Sequence, residues 1–361
     1  MISDKHFKKR LSIVGKKIIE RGIDVAIVFN NLNIYYLTGF PRGRALILRP
    51  DSDPVLVVPE LEFDEADETF KLGKTIAMKA DLSFSDIICS ILNEFPKKNV
   101  ALERQYITIE LYSTLSKRLE IPEFTDFSQC VLQVRSIKDP EEIELIRRAL
   151  RITENSIKYA LEKIHEDMSE IELAGEIEYA MRKYGAEGYA FNTIVASGPR
   201  SAYPHGSTTD RRIKSGDLIV IDVGAKYYGY CSDITRTIVF DSVNESTKKI
   251  FDVIIEAMDA AISKISTKVT GAEVDEIARK VIEKYGYGKY FTHSLGHGVG
   301  LAVHEEPGLN SRNNSLLSVG NVVTIEPGIY IRGFGGVRLE DMVVVREDKC
   351  EILNSLDRIL F

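Results

Sequence analysis

Cysteine is sparse in this chain, and Cys89, Cys130, Cys231 and Cys350 stand without any CxxC spacing. That scatter excludes a disulfide framework and a zinc knuckle, and fits reduced thiols packed inside a fold. No stretch offers the roughly 18 consecutive apolar residues that a membrane span needs. The charged opening, MISDKHFKKRLSIVGKKIIERG, lacks the apolar core of a signal peptide, so a cytoplasmic protein with no membrane partner is expected. There is no Lys/Arg run, and 47 basic against 54 acidic residues leave a formal charge of −7. Such a balance gives no electrostatic footprint for nucleic acid and points to small or neutral partners. Low-complexity segments and short-period repeats are absent as well.

What is present is ordinary for a folded protein: 44% hydrophobic and 28% charged residues over 361 positions, enough for two domains with separate cores. The first part reads as alternating elements. Lys8 to Glu20 is an amphipathic helix, and Val25 to Phe29, Ala45 to Leu48 and Val55 to Val58 are apolar strands bounded by turn residues. A helix over Ser85 to Glu94 and a strand over Asn99 to Leu102 complete a small α/β domain, assigned to residues 1–127. The rest, 128–361, forms the second domain, with 128–140 linking into its first helix. There Asp139 can cap, Pro140 suits the first helical position, and apolar residues at helical spacing carry the helix to about Ile164. Another helix starts near Ser169 and ends at Gly185. The fold class is therefore α/β (α+β).

Chemistry concentrates after Gly198. Histidine is scarce, yet four of the six residues (His205, His293, His297, His304) fall within one hundred-residue stretch. Leu218 to Val223 and Ser232 to Phe240 are β-rich runs joined by a tight turn. If the loop is Tyr227-Tyr228, Asp222 faces Asp233 across the hairpin. Facing carboxylates destabilise a sheet unless one is protonated or a cation lies between them. The pattern recurs, because Glu326 ends the run Val322 to Ile325 and Glu340 enters Met342 to Val345, with Gly333, Gly335 and Gly336 allowing a turn between them. Four acids in two hairpins suggest an oxygen-rich site for divalent ions. The glycine-rich segment Thr292 to Pro307 can add an imidazole, and such a donor set suits Mn²⁺, Co²⁺ or Fe²⁺ as readily as Zn²⁺. Cys231 is read as packing, and Tyr227, Tyr228 and Tyr230 as turn and rim residues.

The contexts DVGAKYYGYCSDITRT, HSLGHGVGLAVHEEP, TIEPGIY and GVRLED, holding Asp222, Asp233, His297, Glu326 and Glu340, resemble the two-metal "pita-bread" metallopeptidases. That family includes Xaa-Pro dipeptidase (prolidase), aminopeptidase P and methionine aminopeptidase. The segment Asn33 to Phe40 resembles a creatinase-type N-terminal domain, and Arg135-Ser136-Ile137-Lys138 resembles the family's linker. The resemblance implies two divalent ions per chain, Mn or Co first and Zn or Fe next. Asp222 would chelate one, His297 and Glu326 the other, and Asp233 and Glu340 would bridge both around a hydroxide nucleophile. It further implies Glu326 as proton shuttle, His205 and His304 as hydrogen bonders to the peptide and the tetrahedral intermediate, and Arg338 as a residue that fixes the site and the substrate's C-terminal side. Phe191 and His293 would contact substrate. The activity expected is hydrolysis of Xaa-Pro dipeptides by a homodimer. The alternatives are an aminopeptidase P acting on longer peptides, a metal-free creatinase-like hydrolase, and a non-catalytic peptide-binding member of the fold.

Overall fold

The computed structural model describes residues 3–50, 52–95, 99–242 and 244–360. It divides into two compact units, Met1–Arg135 and Ser136–Phe361.

In the first unit a six-stranded sheet runs in the order Lys74–Met78, Val55–Pro59, Ala45–Leu48, Val25–Val28, Val100–Leu102, Thr125–Asp126. Val25–Val28 pairs antiparallel with Ala45–Leu48 and parallel with Val100–Leu102. Every residue of Val25–Val28 and Ala45–Leu48 is buried, as their unbroken apolar runs require of strands covered on both faces. The helix Phe84–Asn93 starts on a capping box between Ser83 and Asp86 and lays Ile88 and Leu92 into the same core. The expected boundary at Phe127 needs correction. The helix Ser128–Arg135 belongs to the first unit, because Cys130 and Val131 are buried and the Arg135 guanidinium donates to Asn33 Oδ1 at 2.7 Å.

The second unit opens on the helix Pro140–Leu161, where Asp139 and Glu142 form a capping box and Ile143, Ile146, Leu150, Ile157 and Ala160 make the buried stripe. Glu170–Lys183 starts in the same way from Ser169 and Glu172. Helices Glu245–Ile262 and Gly271–Lys284 pack Ile254, Met258, Val274 and Ala278 against Val323, Ile325, Ile329 and Val343 of the sheets. Ile234–Val239, Leu218–Val223 and Ile194–Ser197 form one antiparallel sheet. A five-stranded sheet runs Glu305–Leu309, Gly296–Gly298, Val322–Ile325, Asp341–Val345, Cys350–Ile352, and Gly328–Ile331 pairs with Gly335–Arg338.

The two acidic hairpins differ from expectation in one respect. Ile325 pairs with Asp341 and Gly328 with Arg338, so Glu326 and Glu340 lie in the bracketed register and face each other as the sequence predicts. In the first hairpin, however, Asp222 pairs with Thr235 and Tyr227 with Tyr230. The turn is Tyr228-Gly229, whose φ angles of 46° and 75° are the two positive values of a type I′ connection. Asp233 is thus diagonal to Asp222 instead of opposite it. A displacement of two residues preserves the side-chain parity, so both carboxylates still address one face.

Candidate active site

Every side chain singled out for chemistry reaches one cavity of about 360 Å³. Asp222, Asp233, His297, Glu326 and Glu340 line it together with His205, His293, His304, Arg338 and Phe191. Ile194, Pro204 and Asn310 line it too and were not read from the sequence. Cys231 does not; it is buried, with its Sγ directed at Leu301 O. Tyr230 is likewise no rim residue, being buried with its hydroxyl donating to Glu142 Oε1 at 2.8 Å.

Two glycines let the backbone close around the acids. A Cβ on Gly296 would fall 2.0 Å from Thr324 O, and one on Gly224 would fall 2.0 Å from Ser232 O. Only glycine permits the strand carrying His297 to lie this close to the strand that leads into Glu326.

The electrostatics of the cluster call for a cation. His297 Nδ1 lies 3.1 Å from Gly298 O, and since a carbonyl can only accept, Nδ1 carries a proton and Nε2 is the nitrogen that faces the acids. Nε2 lies 3.3 Å from Glu326 Oε1 and 3.6 Å from Asp233 Oδ2, so in the metal-free chain a proton there is held by Glu326, and a cation among these oxygens would take its place. Ligand atoms of Asp233, His297 and Glu340 all lie within 4.8 Å of one another. Asp222 Oδ1 and Glu340 Oε1 are buried with no hydrogen-bond partner among the described residues, although each carboxylate's other oxygen has one: Arg338 Nη2 to Asp222 Oδ2 at 2.7 Å, and Thr235 Oγ1 to Glu340 Oε2 at 2.8 Å. Orphaned buried carboxylate oxygens are costly, and oxygen donors with one imidazole are what divalent ions bind. The donor set fits a metal centre.

Protonation follows the same crowding. Burial, then the charges of Glu340, Asp222 and Glu326, push Asp233 well above the usual carboxylate range. Burial with Glu326 and Asp222 does the same to Glu340. Burial also opposes the charge on Glu326, but the His297 hydrogen bond and the positive charges of His297 and Arg338 outweigh it and hold this carboxyl at about 2. Burial pulls His304 and His293 down, and the His304 ring lies 4.1 Å from that of His297.

One residue escaped the sequence reading although it organises half the site. Tyr330 Oη accepts from Arg338 Nη1 at 2.8 Å and donates to His293 Nε2 at 2.9 Å, because His293 Nδ1 is committed to Ser294 O. Burial pushes its phenol up to about 12, so it stays a donor. Arg338 additionally donates to Pro204 O at 2.9 Å, which steadies the segment that carries His205. The signal was parity, since Tyr330 is four residues past Glu326 and Arg338 stands two before Glu340 across the same hairpin.

Known proteins bear on this geometry. Residues 144–347 match Metallopeptidase family M24 and residues 10–137 match the Creatinase/Prolidase N-terminal domain. The Xaa-Pro dipeptidase of Pyrococcus furiosus is 41% identical over 97% of this chain and 99% of its own length. The crystal structure of the prolidase from Pyrococcus horikoshii superposes with a TM-score of 0.91 at 38% identity, covering 97% of this chain and 99% of that one. The X-Pro aminopeptidase from Thermotoga maritima superposes with a TM-score of 0.90 at 36% identity over the same shares. This chain, with its acid and histidine cluster at the meeting of two hairpins, belongs to the M24 metallopeptidases and carries a creatinase/prolidase-type N-terminal domain.

Proposed function

We propose that the chain is an Xaa-Pro dipeptidase that hydrolyses dipeptides ending in proline. The observation that carries the metal-dependent part is the pair of partnerless buried oxygens, Asp222 Oδ1 and Glu340 Oε1, in a cavity with His297 Nε2. Asp222, Asp233, His297, Glu326 and Glu340 would hold two divalent ions, Mn²⁺ or Co²⁺ by the preference of a mostly carboxylate site. When bound, the ions supply Lewis acidity that activates water and polarises the scissile carbonyl.

The chain's own groups do the rest. Glu326 is ionised at neutral pH, so its carboxylate accepts the proton of the attacking water and returns it to the leaving proline nitrogen. His304 and His205 line the same cavity and hydrogen-bond the peptide and its tetrahedral oxygen. Arg338 fixes Asp222 and the His293 to Tyr330 relay and presents a cationic wall to the substrate's carboxylate end. Phe191 supplies the apolar wall for the residue before proline, with His293 beside it. The working protein is a cytoplasmic homodimer. Retention of all five ligand residues disfavours the metal-free and non-catalytic alternatives.

The likeness to the Thermotoga maritima X-Pro aminopeptidase supports a second reading, release of the first residue from longer Xaa-Pro peptides. Both relatives cover the chain equally, so the distinction is one of substrate length. Metal-stripped protein reconstituted with Mn²⁺ should hydrolyse Leu-Pro faster than Leu-Pro-Gly. Cleavage of the tripeptide alone overturns the dipeptidase assignment and leaves the aminopeptidase.

A further inference from the structure

We propose that Arg236 is a positioning residue for Glu340 and that the C-terminal segment Asn354–Arg358, by holding Arg236, tunes the affinity of the metal centre. This inference rests on the metal-centre reading above.

Arg236 is fully buried, and all five N–H donors of its guanidinium are spoken for. Nη1 donates to Thr235 O at 2.9 Å and to Glu340 O. Nη2 donates to Asp341 Oδ1 at 3.1 Å and to Leu356 O at 2.7 Å, and Nε donates to Asp357 O at 2.8 Å. One side of the guanidinium therefore grips the backbone of Thr235 and Glu340, and the other grips two carbonyls of the C-terminal segment. On the site side the grip is reinforced, since Glu340 N donates to Thr235 O at 3.1 Å and the Thr235 hydroxyl donates to Glu340 Oε2.

The segment is itself anchored from behind. Asp341 accepts from Asn354 Nδ2 and Arg358 Nε at 2.8 Å each, and Glu154, a buried residue of the helix Pro140–Leu161, accepts Leu356 N and Ser355 Oγ at 2.8 Å each. A buried guanidinium cannot lose two acceptors without either drawing in water or shifting toward other carbonyls. The acceptors it keeps are Thr235 O, Glu340 O and Asp341 Oδ1, so slack in the segment is passed to the Glu340 backbone and its carboxylate. Glu154 does not line the cavity. Its influence on metal binding has to travel through the segment.

The test is titration calorimetry of the EDTA-stripped full chain with Mn²⁺ alone, for wild type, Arg236→Lys and Glu154→Gln, at a temperature where circular dichroism finds all of them folded. Lysine offers three donors where arginine offers five, and a neutral amide cannot accept every bond that Glu154 receives. The expected result is a Mn²⁺ Kd raised about tenfold or more in Arg236→Lys and about threefold or more in Glu154→Gln. At limiting Mn²⁺, kcat for Leu-Pro falls in both and recovers at saturating Mn²⁺, with KM unchanged. If Arg236→Lys fails to fold, Asp341→Asn takes its place. A Glu154→Gln Kd within twofold of wild type overturns the proposal. Wild type that binds no Mn²⁺ overturns the metal-centre reading and this proposal together, whereas tight Mn²⁺ binding without Leu-Pro hydrolysis overturns the dipeptidase reading alone.

Discussion

Thr235 Oγ1 donates a 2.8 Å hydrogen bond to Glu340 Oε2, while Glu340 Oε1, on the same carboxylate, is buried with no partner among the described residues. One oxygen is oriented by the protein and the other is left for a cation. Asp222 repeats the arrangement, with Arg338 on Oδ2 and nothing on Oδ1. Half-satisfied carboxylates of this kind are expensive in the metal-free chain.

That cost has a pH signature. Asp233 and Glu340 are both pushed above their ordinary values of 3.8 and 4.5, by burial first and by neighbouring carboxylates second. A raised folded-state value means that the folded chain binds the proton more tightly than the unfolded one. The resulting stability is present below the ordinary values and is lost as pH rises through the raised ones. Metal-free Asp233→Asn should therefore equal or exceed wild type in stability, with the gap widening as pH rises above the ordinary aspartate value of 3.8. Urea unfolding of EDTA-stripped protein between about pH 4 and about pH 8 measures it. A variant less stable than wild type throughout contradicts the crowding.

Loss of the proton acceptor should separate chemistry from folding. Glu326→Gln is expected to lower kcat for Leu-Pro by about 10²- to 10⁴-fold, the usual worth of general base catalysis. Its far-ultraviolet circular dichroism should match wild type. Full activity in this variant, measured at saturating Mn²⁺, removes Glu326 from the proton path.

The Tyr330 relay makes a coupling prediction. Tyr330→Phe removes one neutral hydrogen bond to His293 and one to Arg338, for a loss in kcat/KM of roughly 3- to 30-fold. Arg338→Met also frees Asp222 Oδ2 and should cost about 100-fold. Because the two share partners, the double variant should lose less than the product of the single losses, with a coupling above about 0.5 kcal/mol. Strict additivity indicates that Tyr330 and Arg338 act apart.

Backbone closeness at the site is tested at Gly224. An alanine methyl there would meet Ser232 O at 2.0 Å and the Phe191 ring at 2.8 Å. The carbonyl belongs to the hairpin itself and has little room to yield, so Gly224→Ala should destabilise the chain by at least about 2 kcal/mol. An unchanged urea midpoint contradicts that packing.

Much of this site was legible in the sequence because side-chain parity survives small errors of register. Taking Tyr227-Tyr228 as the turn mispaired Asp222 by two positions, yet kept both aspartates on one face. The error arose from Tyr228, a non-glycine at φ 46°, since aromatic residues seldom take that conformation and nothing in a Tyr-Tyr-Gly run announces which pair turns. The second hairpin carried no such ambiguity, because Gly333, at φ 84°, sits in the middle of its three-residue loop. Illegible were the partners that come from far along the chain. Arg236 meets Leu356 and Asp357 more than a hundred residues later, and Asn310 reaches the cavity from a loop with no periodic pattern. The boundary near Phe127 was missed for a similar reason, since Arg135 is tied back to Asn33 by a contact that spacing does not reveal.

The account stands most directly on how many divalent ions the cavity holds. Equilibrium titration of EDTA-stripped protein with Mn²⁺, followed by elemental analysis of the dialysed complex, should return about two ions per chain. The same measurement on Asp222→Asn should return fewer. A stoichiometry near zero in the wild-type chain, or one unaffected by loss of Asp222, contradicts the assignment of Asp222, Asp233, His297, Glu326 and Glu340 as its ligands.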